Sequence, residues 1–265
     1  MSEPKLFTSY SDLDVFLRLF VDRVRVLLGE CLVGIYLHGS LALGDFEAQT
    51  SDIDFVVVTK EELSAADYLK MQSMHAALLR YPSPWATKLE GAYIPKDAFR
   101  RHDSKHATHP WLGSDGHFAV EHLSSDWVLQ RHVLRTKGIV LVGPPLSDLI
   151  DVVTMNDIKQ ACRDLMRSWW TPPFASPERF EAAAYQRYTV LTMCRMLVTQ
   201  ATGEVVSKPV AARWCLEHAD KQWQALIGWA VAKEFDASKD RKKEALDFIR
   251  FVAARMNLDK IIAVS

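Results

Sequence analysis

The sequence predicts an α+β protein in two parts, and three observations carry that expectation. Over the first half, short apolar runs rich in β-branched residues alternate with amphipathic helices, the pattern of a sheet layer with helices packed on it. After Gly143-Pro144-Pro145 helical periodicity takes over and no strand pattern returns. The length, 265 residues, corresponds to about two domains at roughly 150 residues each. The boundary falls near residue 150, giving parts 1–150 and 151–265.

The elements follow in order. From Asp12 to Leu28, the residues Val15, Phe16, Leu19, Phe20, Val24 and Leu27 recur at helical spacing, and Gly29 closes the helix. Leu32–Leu37 reads as a strand running into His38-Gly39-Ser40, and Ile53–Val58 as a second, buried strand. Glu61–Leu79 is amphipathic and stops at Pro82-Ser83-Pro84, and a third strand is expected over Lys88–Ile94. In the second half, helices are expected over Asp157–Trp170, Arg179–Thr199, Lys208–Glu217, Gln222–Phe235 and Arg241–Met256.

Composition excludes several classes. Apolar residues make up 49% and charged residues 25%, which suits a globular chain and not a disordered one. Lys plus Arg total 32 against 33 Asp plus Glu, a net charge of -1. That argues against a broad nucleic-acid or anionic-membrane surface, while leaving room for a local site for one small anion. No apolar run reaches the roughly 20 residues of a membrane span. The N-terminal residues Glu3, Pro4 and Lys5 lack the apolar stretch of a signal peptide. The four cysteines, Cys31, Cys162, Cys194 and Cys215, are scattered, as expected of reduced, buried thiols in a cytoplasmic protein. There is no internal repeat.

The chemistry concentrates in Gly39-Ser40-Leu41-Ala42-Leu43-Gly44-Asp45, continuing to Ser51-Asp52-Ile53-Asp54. Side chains two apart on a strand share a face, so Asp52 and Asp54 present two carboxylates together while Ile53 packs on the other side. Two such carboxylates repel one another, and a divalent cation resolves the conflict. Hard oxygen ligands select Mg²⁺ where phosphates are also present. The Gly39-Ser40 turn into a short helix exposes backbone N–H groups and a hydroxyl to a phosphate. Together these features describe a nucleoside triphosphate held by metal and backbone. The dinucleotide-binding, P-loop and kinase signatures are all missing.

In the second half, Tyr188, Thr192, Arg195 and Thr199 form a polar stripe spanning about 60° of an otherwise apolar helix, the mark of a confined cleft. Gly203 then ends that helix, and Ser207 caps the next. Lys208 follows in the first helical turn, where a cation opposes the macrodipole and a bound anion would compensate it.

The Gly-Ser…Ser-Asp-x-Asp pattern resembles the nucleotidyltransferase superfamily typified by DNA polymerase β. Two further runs, Tyr188 through Arg195 and then Val206-Ser207-Lys208-Pro209 to Ala211-Ala212-Arg213-Trp214, look like the C-terminal helical domain of AadA-type aminoglycoside adenylyltransferases. The resemblance covers most of the chain and is weakest from about residue 98 to 124. It implies an N-terminal nucleotidyltransferase domain, a mixed sheet with flanking helices, over 1–150. An α-helical bundle over 151–265 would complete the ATP and substrate cleft. It further implies transfer of AMP from ATP to a hydroxyl of streptomycin or spectinomycin, with release of pyrophosphate and resistance to the drug, by a cytoplasmic monomer without nucleic-acid or membrane partners. Residue by residue, Asp52, Asp54 and Glu90 match the metal-binding carboxylates and Glu90 the catalytic base. Gly39, Ser40, Ser51, Asp126, Arg195 and Lys208 match nucleotide contacts. Trp111, Tyr185 and Tyr188 are expected at the acceptor. The same enzyme fold could also act on another hydroxyl, of a metabolite, a protein or an RNA end. Two departures stand out: the spacer before Ser51 is slightly longer than the family's, and Tyr185, Gln186 and Arg187 do not reproduce the acidic cluster of streptomycin-handling members. Trp169, Trp170, Glu178 and Glu181 lie nearby as substitutes.

His102, His106, His109, His117 and His122 crowd one segment, but Pro110, Gly113 and Gly116 point to a mobile, substrate-facing loop and not to a zinc helix. The run Lys239–Lys243 reads as a solvated helix start, and Trp223 and Trp229 as core.

Overall fold

A computed structural model describes residues 6–170, 177–232, 234 and 236–258. The chain divides into two compact units, Met1–Val152 and Val153–Ser265. In the first, α1 (Ser11–Leu28) leads into β1 (Leu32–Leu37), and α2 (Gly39–Leu43) precedes β2 (Ile53–Thr59). Next come α3 (Ala65–Leu79), β3 (Leu89–Pro95) and α4 (Lys96–Arg100). A hairpin of β4 (Thr108–Leu112) and β5 (Phe118–His122) follows, then α5 (Asp126–Lys137), β6 (Ile139–Val142) and α6 (Leu146–Leu149).

The described strands form one mixed six-stranded sheet in the order β5-β4-β3-β2-β1-β6. Only β2 and β3 run parallel; the other neighbours are antiparallel. The parallel pair is joined through α3, the crossover such a pair requires. Alternation along the strands sorts side chains into two cores. Ile35, Leu37, Phe55, Val57, Leu89 and Tyr93 pack with α1 and α3. Tyr36, Val56, Val58, Ala92 and Ile94 pack with Phe99 of α4, Trp127 and Leu134 of α5, and Leu146 and Leu149 of α6.

The helix expected from Glu61 begins at Ala65, because Ser64 caps it by accepting the Asp67 amide at 3.1 Å. The His-rich segment corrects the sequence reading: it is not a loop but largely the β4–β5 hairpin, turning through Gly113 and Gly116. Pro110 is tolerated in β4 because the ladder to β3 involves only Trp111 and Leu112. Strand β6 went unread because four residues after a helix give no periodicity to count.

The second unit is helical: α7 (Met155–Leu165), a π-turn Met166–Trp170, α8 (Ala183–Thr202), α9 (Lys208–His218), α10 (Gln224–Val231) and α11 (Lys242–Arg255). A Thr154/Asp157 capping box starts α7. A 3₁₀ turn over Pro177–Phe180 delays α8 beyond the expected Arg179. Helix α8 is the hub, packed against α7, α9, α10 and α11. The expected Gln222–Phe235 helix is observed as α10, and Phe235 lies outside the described residues. No described helix is long and apolar enough to cross a membrane.

Candidate active site

The site grows from the end of β1. The amide of His38 donates to the Asp54 carbonyl at 3.0 Å, extending the β1–β2 ladder by one residue. Gly39 then adopts φ +57°, a conformation that side chains resist. A Cβ at Gly39 would lie 1.8 Å from Asp54 Oδ2. Glycine is required here twice over, by conformation and by the approach of a carboxylate to bare backbone. Helix α2, which carries Ser40, ends at Gly44 in the left-handed region.

The segment between α2 and β2 is tied closed. Ser51 Oγ accepts the Glu47 amide at 3.0 Å, and Lys88 Nζ donates to the carbonyls of Gln49 and Ser51 at 3.0 and 3.2 Å. Lys88 in turn accepts the Ile53 amide. This clasp, unforeseen in the sequence, delivers Asp52 and Asp54 into β2 in a defined phase. Ser51 is thus placed as a loop-closing residue whose hydroxyl is already engaged.

In the parallel β2–β3 ladder Asp54 stands directly opposite Glu90. Both share the face of Val56, Val58, Ala92 and Ile94. Neighbouring strands lie about 4.8 Å apart, so two half-buried carboxylates sit side by side beside the Gly39 backbone. Asp52 lies one pleat earlier and is exposed. Among the described residues no three His, Cys, Asp or Glu side chains are grouped to hold a metal by themselves. The expected three-carboxylate set is therefore assembled in part, as the Asp54–Glu90 pair. Such a pair suits Mg²⁺, which takes one or two carboxylates and completes its shell with water and substrate phosphates.

A cavity of about 360 Å³ is walled by Trp111 of β4, Glu121 of β5, and Asp126 and Trp127 of α5. The Trp111 and Trp127 rings meet edge to face at 6.3 Å. Asp126 accepts from Ser124 Oγ at 2.6 Å; burial raises its pKa, partly offset by that bond, backbone amides and the nearby His38. His38 is buried, its Nδ1 3.1 Å from Gln130 Oε1, its ring 5.8 Å from that of Trp127, and its Nε2 without a hydrogen-bond partner. Sequence reasoning missed His38; its position immediately before Gly39-Ser40 was the available signal.

In the helical unit, α8 ends at Gly203 with φ +79°. Ser207 caps α9 by accepting the Val210 amide. Lys208 opens α9 with its ammonium 4.5 Å from the Tyr188 ring centre, a cation–π contact that offsets its unfavourable place on the helix dipole. Tyr188 also neighbours Tyr185 at 5.8 Å and stacks on Trp170 at 6.1 Å. Arg179 lies over Trp169 and Tyr185. Arg195 is half-buried on the same stripe and close enough to Cys162 to oppose the burial that pushes that thiol up to about 12. Gln186 is buried and bonded to the Phe180 carbonyl and Asp240, while Arg187 donates to the carbonyls of Ala230 and Ala232. Glu181 pairs with Lys242.

A mixed sheet that aligns a Gly-Ser turn with an Asp-x-Asp strand and a third carboxylate defines a class, the nucleotidyltransferases. The model described as "Nucleotidyltransferase domain" matches residues 17–90. The model "Aminoglycoside adenylyltransferase, C-terminal domain" matches residues 148–258. The chain is thus similar to nucleotidyltransferases over its first half and to aminoglycoside adenylyltransferases over its second. It is 25% identical over 236 residues to the aminoglycoside (3'') (9) adenylyltransferase of Escherichia coli, covering 83% of this chain and 86% of that one. It is 26% identical over 246 residues to a spectinomycin 9-adenylyltransferase of Staphylococcus aureus, covering 84% and 85%. Its fold is similar to that of spectinomycin adenyltransferase AAD(9) from Enterococcus faecialis, solved with ATP and spectinomycin. The TM-score is 0.71 at 18% identity, over 92% of this chain and 98% of that one.

Proposed function

We propose that the protein transfers AMP from ATP to a hydroxyl of an aminoglycoside-type antibiotic, with spectinomycin preferred to streptomycin. The observation that carries this reading is the Asp54–Glu90 alignment beside the bare backbone of Gly39. Mg²⁺ held by Asp54 and Glu90, with Asp52 at the margin, would neutralise the triphosphate and polarise its α-phosphate. Glu90 takes the proton of the acceptor hydroxyl. The freed oxygen attacks the α-phosphorus in line, a P–O bond forms, and the bond to pyrophosphate breaks. Ser40 and the first amides of α2 bind phosphate oxygens. Within the helical unit, Lys208 and Arg195 are the cations suited to phosphate oxygens, and Tyr185 and Tyr188 offer aromatic surface. Within the first unit, Asp126 is suited to the nucleotide and Trp111 to the acceptor.

The drug preference rests on α8. Streptomycin carries two guanidinium groups and needs carboxylates to meet them. Here Gln186 and Arg187 stand in the first turns of the helix, and Glu181 is engaged by Lys242. Neither Gln186 nor Arg187 offers the acid a guanidinium drug needs, whereas a compact aminocyclitol demands less.

Calorimetry with ATP–Mg²⁺ and then each drug, followed by a pyrophosphate-release assay, tests the reading. The expected result is ATP–Mg²⁺ binding, a heat with spectinomycin exceeding that with streptomycin, and pyrophosphate release only when drug is present. Release with neither drug, or AMP recovered on protein or RNA, would overturn the choice of acceptor.

A further inference from the structure

Next to the first lies a second cavity, of about 300 Å³, that no step of AMP transfer uses. Its inner wall is Arg131, His109 and His102, with Leu123 shared with the cavity walled by Trp111 and Trp127. Arg131 is 3% exposed and His109 2%. Three of Arg131's five N–H groups cap backbone carbonyls of Ala98, Phe99 and Trp127, which leaves two. Asp126 is the acidic group near enough to favour Arg131's charge, and among the described residues no carboxylate lies within ion-pair distance of it. Each imidazole also has one buried nitrogen without a hydrogen-bond partner among the described residues, His102 Nε2 and His109 Nδ1, while the His106 backbone also acts on His109.

A buried cation with no ion-pair partner among the described residues, beside two ring nitrogens without hydrogen bonds, is an expensive arrangement. We propose that this cavity is a binding site for an oxyanion group, sulfate- or phosphate-like, carried by a small molecule and received by Arg131, His102 and His109. The charges facing the two histidines are accounted for. Around His102 stand Arg131, His122 and Asp103. Around His109 stand Arg131 and His102, with Glu62 Oε1 at 3.7 Å. Asp103 is committed to His106 and to the Lys105 amide. Asp97 and Arg101 lie at the exposed rim, and Arg101 is paired with Asp151. The cavity thus grows more positive inward.

Burial and Arg131 push both imidazoles down to about 4, so both are neutral in the empty site at pH 7. A bound oxyanion favours their charged forms and raises those values. Anion affinity therefore rises as pH falls through the bound-state pKa toward 4, by up to about tenfold per pH unit for each proton taken up.

Sulfate, whose charge is constant over this range, is the probe. Calorimetry on the full chain without nucleotide is expected to give a dissociation constant at least about tenfold tighter at pH 6 than at pH 8. Imidazole NMR of the unmutated protein is expected to show the His102 and His109 ring signals moving toward the charged form as sulfate is added. His102→Ala is expected to abolish the binding and leave AMP transfer intact, and Lys208→Ala to leave the His102 and His109 shifts in place. Binding that is flat in pH, sulfate-insensitive His102 and His109 signals, or heat unchanged in His102→Ala would overturn the site.

Discussion

On the α1/α3 face of the sheet the polar groups are enclosed by aromatic packing. His75 is buried, 2.8 Å from the Tyr93 hydroxyl, and boxed by the rings of Phe20, Phe55 and Phe118. The α4–α6 face has a similar apolar floor, yet it carries the half-buried Asp54–Glu90 pair, a His38 whose Nε2 has no hydrogen-bond partner, and two polar-walled cavities. Both faces come from the same strands by alternation. What differs is the surroundings: rings close over the polar groups of one face, whereas on the other they border open cavities, as the proposed function requires.

The sharpest way to break that contrast is Glu90→Gln. It preserves size and removes the base, so the proposed mechanism expects a loss of about 10³-fold or more in kcat with ATP binding retained; wild-type turnover would remove Glu90 from the chemistry. Next is Gly39→Ala, which drives a methyl into Asp54 Oδ2 and strains a positive φ. Turnover is expected to fall by about 10²-fold, as misplacement of the pair by an ångström would produce.

On the closed face, His75→Phe tests the opposite property. Burial pushes His75 down to about 3. The unfolded chain therefore binds a proton below about pH 6.5 that the folded chain refuses, and stability is lost as pH falls from there toward 3. Between pH 7 and 5 the variant is expected to lose about 2 kcal/mol less than wild type in urea titrations, with AMP transfer unaffected at pH 7.5. An identical pH slope would mean that His75 is charged in the fold. The smallest effect is expected for Gly44→Ala. It shares the positive φ of Gly39 but meets nothing within 4 Å, so about 1 kcal/mol of stability is lost and turnover is kept. If Gly44→Ala and Gly39→Ala behaved alike, conformation and not the carboxylate contact would explain Gly39.

The chemistry-bearing motif was legible because it is local: Gly39-Ser40 and Asp52-x-Asp54 are short patterns whose side-chain directions follow from strand geometry alone. The pairing of Asp54 with Glu90 was not, since register between strands 36 residues apart depends on the packing of α3. The hairpin was misread as a loop because Pro110, Gly113 and Gly116 are breakers everywhere except where a ladder is missing or a turn is wanted. Lys208 drew notice by violating a helix rule, but its Tyr188 partner lies 20 residues upstream on another helix. The oxyanion cavity escaped because its walls come from three separate segments, of which only the histidine crowding was visible.

The parallel register of β2 and β3 has a further consequence. The Asp54–Glu90 pair lies on two central strands, whereas Trp111 and Glu121 sit on the outer β4–β5 hairpin, joined to β3 by only two ladder positions. Under the proposed function, exchanging that hairpin for one of another shape is expected to change the acceptor before it disturbs the carboxylates, so that the edge of the sheet varies while its centre is kept.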